Sequence, residues 1–411
     1  MNSSLKKILY IGTEIVNKIV PFLALPIFAN YLSKEEFGVV ANFNVLFFIF
    51  SILVGLSTEG YLSTKFYYSS ATKRGLIIGN LVMVATITFV VLIPILYLFS
   101  GLVFKYFNVD FLYLFFCIIA TYFSFIIRLY LIHCRFTENH VAFFISQFSL
   151  VALNIGLSVV AVIYLEDKLF ARIASLSFSY VAFGIIALLL LSKFAIFKYN
   201  KILSRKSLKF GVPLIPYQLA KWARNGLDRI IITNIIGIAA NGIYSYNFQI
   251  SNIPSYIGNS LNLELTPKLF KALKKGSDQK KTLKILLPYI AIITIAFLAY
   301  VVGVLVLKDY IFVKQFKFDA VAFSLILFGS LFHSFALLLN NFFFFWEKNI
   351  LLTRVTVIAS ISSAVLNFCF TSMWGIYGTC LTFLIVEVVI CIVLLYLVVK
   401  EFHHKQKELN Q

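Results

Sequence analysis

The chain has 411 residues, 61% of them hydrophobic and only 13% charged, with a formal net charge of +19. Soluble domains carry about 25% charged residues, so the composition excludes that class and makes lipid the main solvent. The basic excess comes with no soluble basic domain and no basic groove interleaved with aromatics, which excludes nucleic acid as a partner.

Lys6 and Lys7 precede an apolar run that continues to Leu32 and is interrupted by Glu14, Asn17 and Lys18. A cleaved secretory core is shorter and less polar, so the run reads as a first membrane span over 8–32. Further apolar spans follow over 38–62, 75–100, 108–132, 141–164, 169–192, 210–234, 242–266, 284–307, 318–343, 350–373 and 376–399. Each has the length that a bilayer core of about 30 Å requires. Twelve spans place both termini on one side.

The distribution of lysine and arginine decides which side. The terminal side holds 24 of the 36, while only Lys34, Lys105, Lys168, Arg172, Lys308, Lys314 and Lys317 lie opposite. Both termini are therefore expected in the cytoplasm, with the lysines there facing anionic headgroups. This asymmetry also accounts for the net charge.

The basic stretch 193–209 divides the spans six and six. The expected organisation is an N-terminal lobe over 1–192, a cytoplasmic linker over 193–209, a C-terminal lobe over 210–400 and a cytoplasmic tail over 401–411. Glu36-Phe37-Gly38-Val39-Val40-Ala41 opens the second span, and Ala240-Asn241-Gly242-Ile243-Tyr244-Ser245 opens the eighth. Gly55 and Lys65 match Gly258 and Lys268 at nearly the same offset. Units of six spans share one orientation, so the halves form a parallel repeat of a kind that transporters use.

The seventh span contains Lys221, Arg224, Asn225, Asp228 and Arg229. At 100° per residue these occupy an arc of about 140°. Four ions at a helix centre cost on the order of 10 kcal/mol, so this face must line a watery or protein-enclosed cavity. Glu14, Asn17 and Lys18 share one face of the first span, the helix that opens the other half. The expected fold class is thus an all-α integral membrane protein of about 12 transmembrane helices in two six-helix lobes around a central cavity.

Lys18, Lys221, Arg224 and Arg229 are the candidate substrate cations, because arginine pairs with phosphate oxygens bidentately. Arg128, at the end of the fourth span, either joins them or snorkels to headgroups. Asp228 and Glu14 either exchange a coupling H+ or Na+ or neutralise a neighbouring cation. Glu59 and Glu264, near the cytoplasmic ends of spans two and eight, are gate candidates or solvated end residues. Glu387, in the middle of span twelve, has no evident partner. Pro21 and Pro26 in span one, and Pro213 and Pro216 in span seven, are expected to kink both helices.

Cys117, Cys134, Cys369, Cys380 and Cys391 lack metal-type spacing and read as apolar packing residues. The sequence has no G-x-x-x-x-G-K-[ST] loop, no H-E-x-x-H and no G-x-S-x-G, so no ATPase, zinc protease or serine hydrolase motif is present. No metal or organic cofactor is expected, and the expected class is a transporter, not an enzyme.

Leu32-Ser-Lys-Glu-Glu-Phe37-Gly38, Thr266-Pro267-Lys268-Leu-Phe and Asn367 followed by Trp374-Gly375-Ile376-Tyr377-Gly378-Thr379 form an ordered set. With the length and layout, this set resembles the O-antigen (Wzx-type) polysaccharide flippases of the multidrug/oligosaccharidyl-lipid/polysaccharide exporter superfamily. The resemblance implies a V-shaped bundle that moves undecaprenyl-diphosphate-linked repeat units to the periplasmic leaflet of the bacterial inner membrane by ion-coupled alternating access. The partners it implies are the lipid-linked oligosaccharide, membrane lipids, and the polymerase and chain-length regulator of the same pathway. A multidrug exporter of that superfamily is the alternative, although its lipophilic cations would favour carboxylates over four basic residues. A membrane-embedded glycan polymerase or ligase would need a large periplasmic loop.

Overall fold

Ser33 opens a helix by a reciprocal cap. Its hydroxyl accepts from the Glu36 N–H at 3.1 Å, and the Ser33 N–H donates to the Glu36 carboxylate at 2.7 Å. These bonds satisfy two end groups that would otherwise face a low-dielectric medium. The side chains of Ser70, Asn139, Asp167, Asn200 and Asp319 also accept from backbone N–H groups at the starts of later helices, without the reciprocal bond.

The computed structural model describes residues 20–274, 279–313 and 315–410, with all side chains except those of Lys221, Asn225, Gln279, Lys280, Asn349 and residues 404–410. The Glu14, Asn17 and Lys18 face expected on the first span lies outside the described residues. Every described element is a helix. In chain order they are α1 (Val20–Tyr31), α2 (Lys34–Gly55), α3 (Glu59–Lys65), α4 (Ala71–Phe107), α5 (Phe111–Phe136), α6 (His140–Tyr164), α7 (Lys168–Ser192) and α8 (Lys201–Gly211). There follow α9 (Ile215–Ile235), α10 (Ile238–Ser251), α11 (Ile253–Lys274), α12 (Gln279–Ile311), α13 (Ala320–Phe345), α14 (Asn349–Trp374) and α15 (Ile376–Asn410).

Among the described residues, nine helices are long and apolar enough to cross a membrane: α2, α4 to α7 and α12 to α15. They account for nine of the twelve expected spans. The described part of span one is the short apolar α1, and spans seven and eight are α9 and α10–α11, which are more polar.

Three local features differ from the sequence expectations. Span two breaks where Leu56 and Ser57 both take left-handed backbone, so Glu59 starts a separate short helix. Span eight is interrupted at Asn252 and continues to Lys274. Pro213 and Pro216 do not kink a continuous helix. They stand at a 3-10 turn over Val212–Leu214 and in the first turn of α9, where a missing N–H costs nothing.

By internal packing the chain divides into two units, residues up to Gly242 and residues from Ile243. In the first, α5 is central and packs on α2, α4 and α7, with Phe43, Leu114, Phe125 and Leu129 fully buried. There α6 lies on α7, and α9 on α2. In the second unit α13 packs on α11 and α15, α14 on α15, and α12 on α11.

In lipid, apolar burial does not drive helices together, so close backbone approach and hydrogen bonds must. The crossing of α2 with the start of α10 has both. A Cβ on Gly38 would collide with the Ile238 carbonyl oxygen, and one on Gly242 with that of Lys34. Buried Asn241 donates to the Asn42 side-chain oxygen at 2.9 Å and to the Gly38 carbonyl at 3.3 Å. The repeat-equivalent glycines therefore meet each other.

Candidate functional site

Helix α9 carries the charged stripe, and side-chain amides hold it in place on the first unit. Asn42 donates to the Thr233 hydroxyl at 3.0 Å and to the Phe107 carbonyl at 2.6 Å. Asn234 donates to the Tyr106 carbonyl at 2.8 Å, and Gln218, at the other end, donates to Ser57 at 3.1 Å.

Within the stripe, the Arg229 guanidinium reaches both Asp228 carboxylate oxygens, at 3.1 and 3.4 Å. Asp228 is only 7% exposed. Neighbouring residues on a helix do not face each other, so the guanidinium must fold back to make this pair. Arg224 is half-buried one turn before Asp228. Arg224 and Arg229 outnumber Asp228, the single acid in the sequence of α9. The Lys221 and Asn225 side chains lie outside the description.

Two further sequence candidates come together in the first unit. The Arg128 Nε lies 3.7 Å from the Glu59 carboxylate, and its Nη2 donates to the Ser51 carbonyl at 3.2 Å. Since α5 runs on to Phe136, Arg128 sits two turns inside the helix instead of at its end. It bridges the last turns of α2 to α3. Glu264, in the second unit, accepts from Lys268 at 2.6 Å on an exposed face of α11. Lys268 also donates to the Tyr289 hydroxyl at 2.8 Å.

Sequence reasoning missed two polar centres. Glu387 on α15, 1% exposed, lies 3.1 Å from His333 Nδ1 on α13. Fifty-four residues separate them, so no spacing signal could join them. Arg172, counted with the cations opposite the termini, is in the second turn of α7. It donates to Ser158 at 2.5 Å and Asn154 at 3.2 Å, with its guanidinium 4.4 Å from the Phe28 ring centre. The available clue was Asp167, a helix cap five residues before Arg172.

Known structures share this architecture. A multidrug resistance transporter of the MATE family of the MOP superfamily, in an inward-facing conformation, matches with a TM-score of 0.76, 12% identity and 96% coverage of both chains. The lipid II flippase MurJ, inward closed, matches with a TM-score of 0.74 and 13% identity, over 97% of this chain and 89% of its own. The chain shares the fold of these two proteins, and its long apolar helices are those of a multi-pass membrane protein. The sequence profile described as polysaccharide biosynthesis protein matches residues 4–272, and the chain belongs to that family. Lsg locus putative protein 1 of Haemophilus influenzae is 23% identical over 374 residues, 86% of this chain and 88% of that protein.

Proposed function

We propose that the chain is a flippase that carries undecaprenyl-diphosphate-linked oligosaccharide repeat units, of the O-antigen type, from the cytoplasmic to the periplasmic leaflet of a bacterial inner membrane. The observation that carries this reading is membership of the polysaccharide biosynthesis family on a membrane-transporter fold. The excess of arginine on α9 supports it. A diphosphate loses its hydration in the membrane core, and charge-assisted bonds from fixed arginines offset that loss.

In this reading Arg224 and Arg229, with Lys221 and Lys18, take the diphosphate. Arg128 and Glu59 hold the α2–α3 break, a place where the helix can bend. Two six-helix lobes alternate access, and Asp228 and Glu14 exchange the coupling H+ or Na+. The positive-inside distribution supports cytoplasmic termini.

The test is reconstitution of the full chain in proteoliposomes containing a fluorescent undecaprenyl-diphosphate oligosaccharide in one leaflet. Its appearance in the other leaflet, dependent on an imposed ion gradient, is the expected result. Retention of the glycan lipid together with gradient-driven movement of ethidium would instead make the chain a multidrug exporter.

A further inference from the structure

The first unit holds a cleft of about 500 Å³ away from the α9 stripe. It lies within the range of about 300–1,000 Å³ typical of small-molecule sites. Lys65, Lys73, Lys206 and Lys209 line it, with Tyr61 and Tyr68. The lysines come from three elements: the last turn of α3, the first turn of α4 and two successive turns of α8. Among the described residues, none of the four is in an ion pair with a carboxylate.

This concentration of charge runs against local helix preference. The first turn of α4 holds no acid but does contain Lys73, followed directly by Arg74, where the helix dipole favours anions. Four mutually repelling ammonium groups gain from a bound anion, and an anion in the cleft would also meet the favourable end of the α4 dipole.

The walls are set before any ligand arrives. Asn80 on α4 donates to the Lys198 carbonyl at 3.0 Å and accepts from the Asn200 N–H at 2.7 Å and the Ser204 hydroxyl at 3.2 Å. The Ile196 N–H donates to the Gly75 carbonyl at 2.9 Å. These bonds fix α8 against α4, and the Tyr61 and Phe210 rings, 6.0 Å apart, close one wall. The helices that carry the lysines are thus held in place, and binding need order only the lysine side chains.

The surroundings are those of a membrane interface. Ile202 on α8 is 65% exposed beside Lys201 and Arg205, and Tyr68 is 86% exposed at the rim. An amphipathic basic helix with exposed tyrosines is suited to the headgroup layer, where a ligand can keep its tail in lipid. We propose that this cleft binds the phosphate group of a membrane lipid at the cytoplasmic interface. The shared chemistry is a lipid phosphate, supplied either by a prenyl-diphosphate carrier or by bulk anionic phospholipid. Four cations around one cleft match a diphosphate better than a singly charged phosphodiester. The proposal rests on the membrane orientation given under the proposed function but not on transport. A chain that binds lipid phosphate here and moves no glycan would refute only the flippase reading.

The test is binding by the full chain in zwitterionic detergent, with farnesyl diphosphate and inorganic pyrophosphate as probes, and in nanodiscs with and without phosphatidylglycerol. The variants are K65Q/K206Q/K209Q and a charge-matched control, K105Q/K308Q/K317Q. Cleft substitution should weaken farnesyl diphosphate binding by about tenfold while the control stays near wild type. Selective loss of farnesyl diphosphate binding assigns the cleft to the carrier, and loss confined to phosphatidylglycerol nanodiscs assigns it to bulk lipid. Pyrophosphate binding as tight as farnesyl diphosphate, or equal losses in both variants, would overturn the proposal. Should the triple variant not fold, photo-crosslinking of wild type by a diazirine farnesyl diphosphate should mark peptides containing residues 65–73 and 201–209. Marking elsewhere overturns the assignment equally.

Discussion

His333 and Glu387 meet at 3.1 Å across the α13–α15 interface, and they join the two most closely associated helices of the second unit. A carboxylate that is 1% exposed makes this bond more consequential than its surface counterparts. His333→Ala should destabilise the protein by about 1.5–3 kcal/mol, the usual cost of a lost hydrogen bond to a charged group. The double variant H333A/E387Q should cost less than the two single losses combined, because the neutral amide needs less compensation. Denaturant unfolding of the detergent-solubilised chain checks this; simple additivity would show that the pair is not coupled.

On α9 the proposed roles separate by charge and shape. Arg224→Ala should abolish glycan-lipid movement while the chain still inserts and melts as wild type. Arg224→Lys should restore only part of it, since an ammonium cannot pair bidentately with phosphate. Wild-type transport by R224A, measured in the proteoliposome assay, would remove the cationic-stripe account.

Asp228 already has Arg229 as a partner, so its coupling role needs a different readout. Asp228→Asn should flatten the dependence of transport rate on the imposed ion gradient more than it lowers the rate without a gradient. An unchanged gradient response with reduced thermal stability would assign Asp228 to holding Arg229.

The crossing of α2 with α10 admits no side chain at Gly38 or Gly242. Gly242→Ala should cost about 1–3 kcal/mol, the range for overpacking a tight contact. Gly156 in α6 has nothing within 4 Å of where a Cβ would stand. Gly156→Ala should therefore be neutral or stabilise by up to about 1 kcal/mol, through helix propensity. Thermal melting of the two variants compares them directly, and equal melting points would show that the crossing yields.

Hydropathy located the helices well where they face lipid. The expected spans 141–164 and 169–192 correspond to α6 and α7 within a residue at each end. It missed the break after α2, because Leu56 and Ser57 adopt left-handed backbone although neither is a residue that favours it. The charged stripe was legible from period alone. Its pairing was not: that Asp228 meets its direct neighbour Arg229 depends on side-chain rotamers, and Arg128 meets Glu59 only because α5 packs beside the end of α2. Arg172 lies inside the expected span 169–192, but its partners Asn154 and Ser158 stand on the preceding helix at no telling spacing.

Membrane orientation gives the last prediction. Helix α12 has 33 residues, about 50 Å at 1.5 Å per residue, which exceeds the bilayer core of about 30 Å. Its two ends must then emerge on opposite sides. Lys271 and Lys274, in the last turn of α11, precede it, and Tyr310, 80% exposed, lies at its far end. In a background with the five cysteines replaced, Lys271→Cys should react with a membrane-impermeant maleimide only after permeabilisation. Tyr310→Cys should react in intact spheroplasts, and Lys206→Cys should behave as Lys271→Cys does. Labelling of Lys271→Cys in intact spheroplasts would invert the topology and move the lysine-lined cleft to the outer face. Labelling of Lys206→Cys and Lys271→Cys from opposite sides would instead break the even number of crossings between α8 and α11 that the twelve-span reading requires.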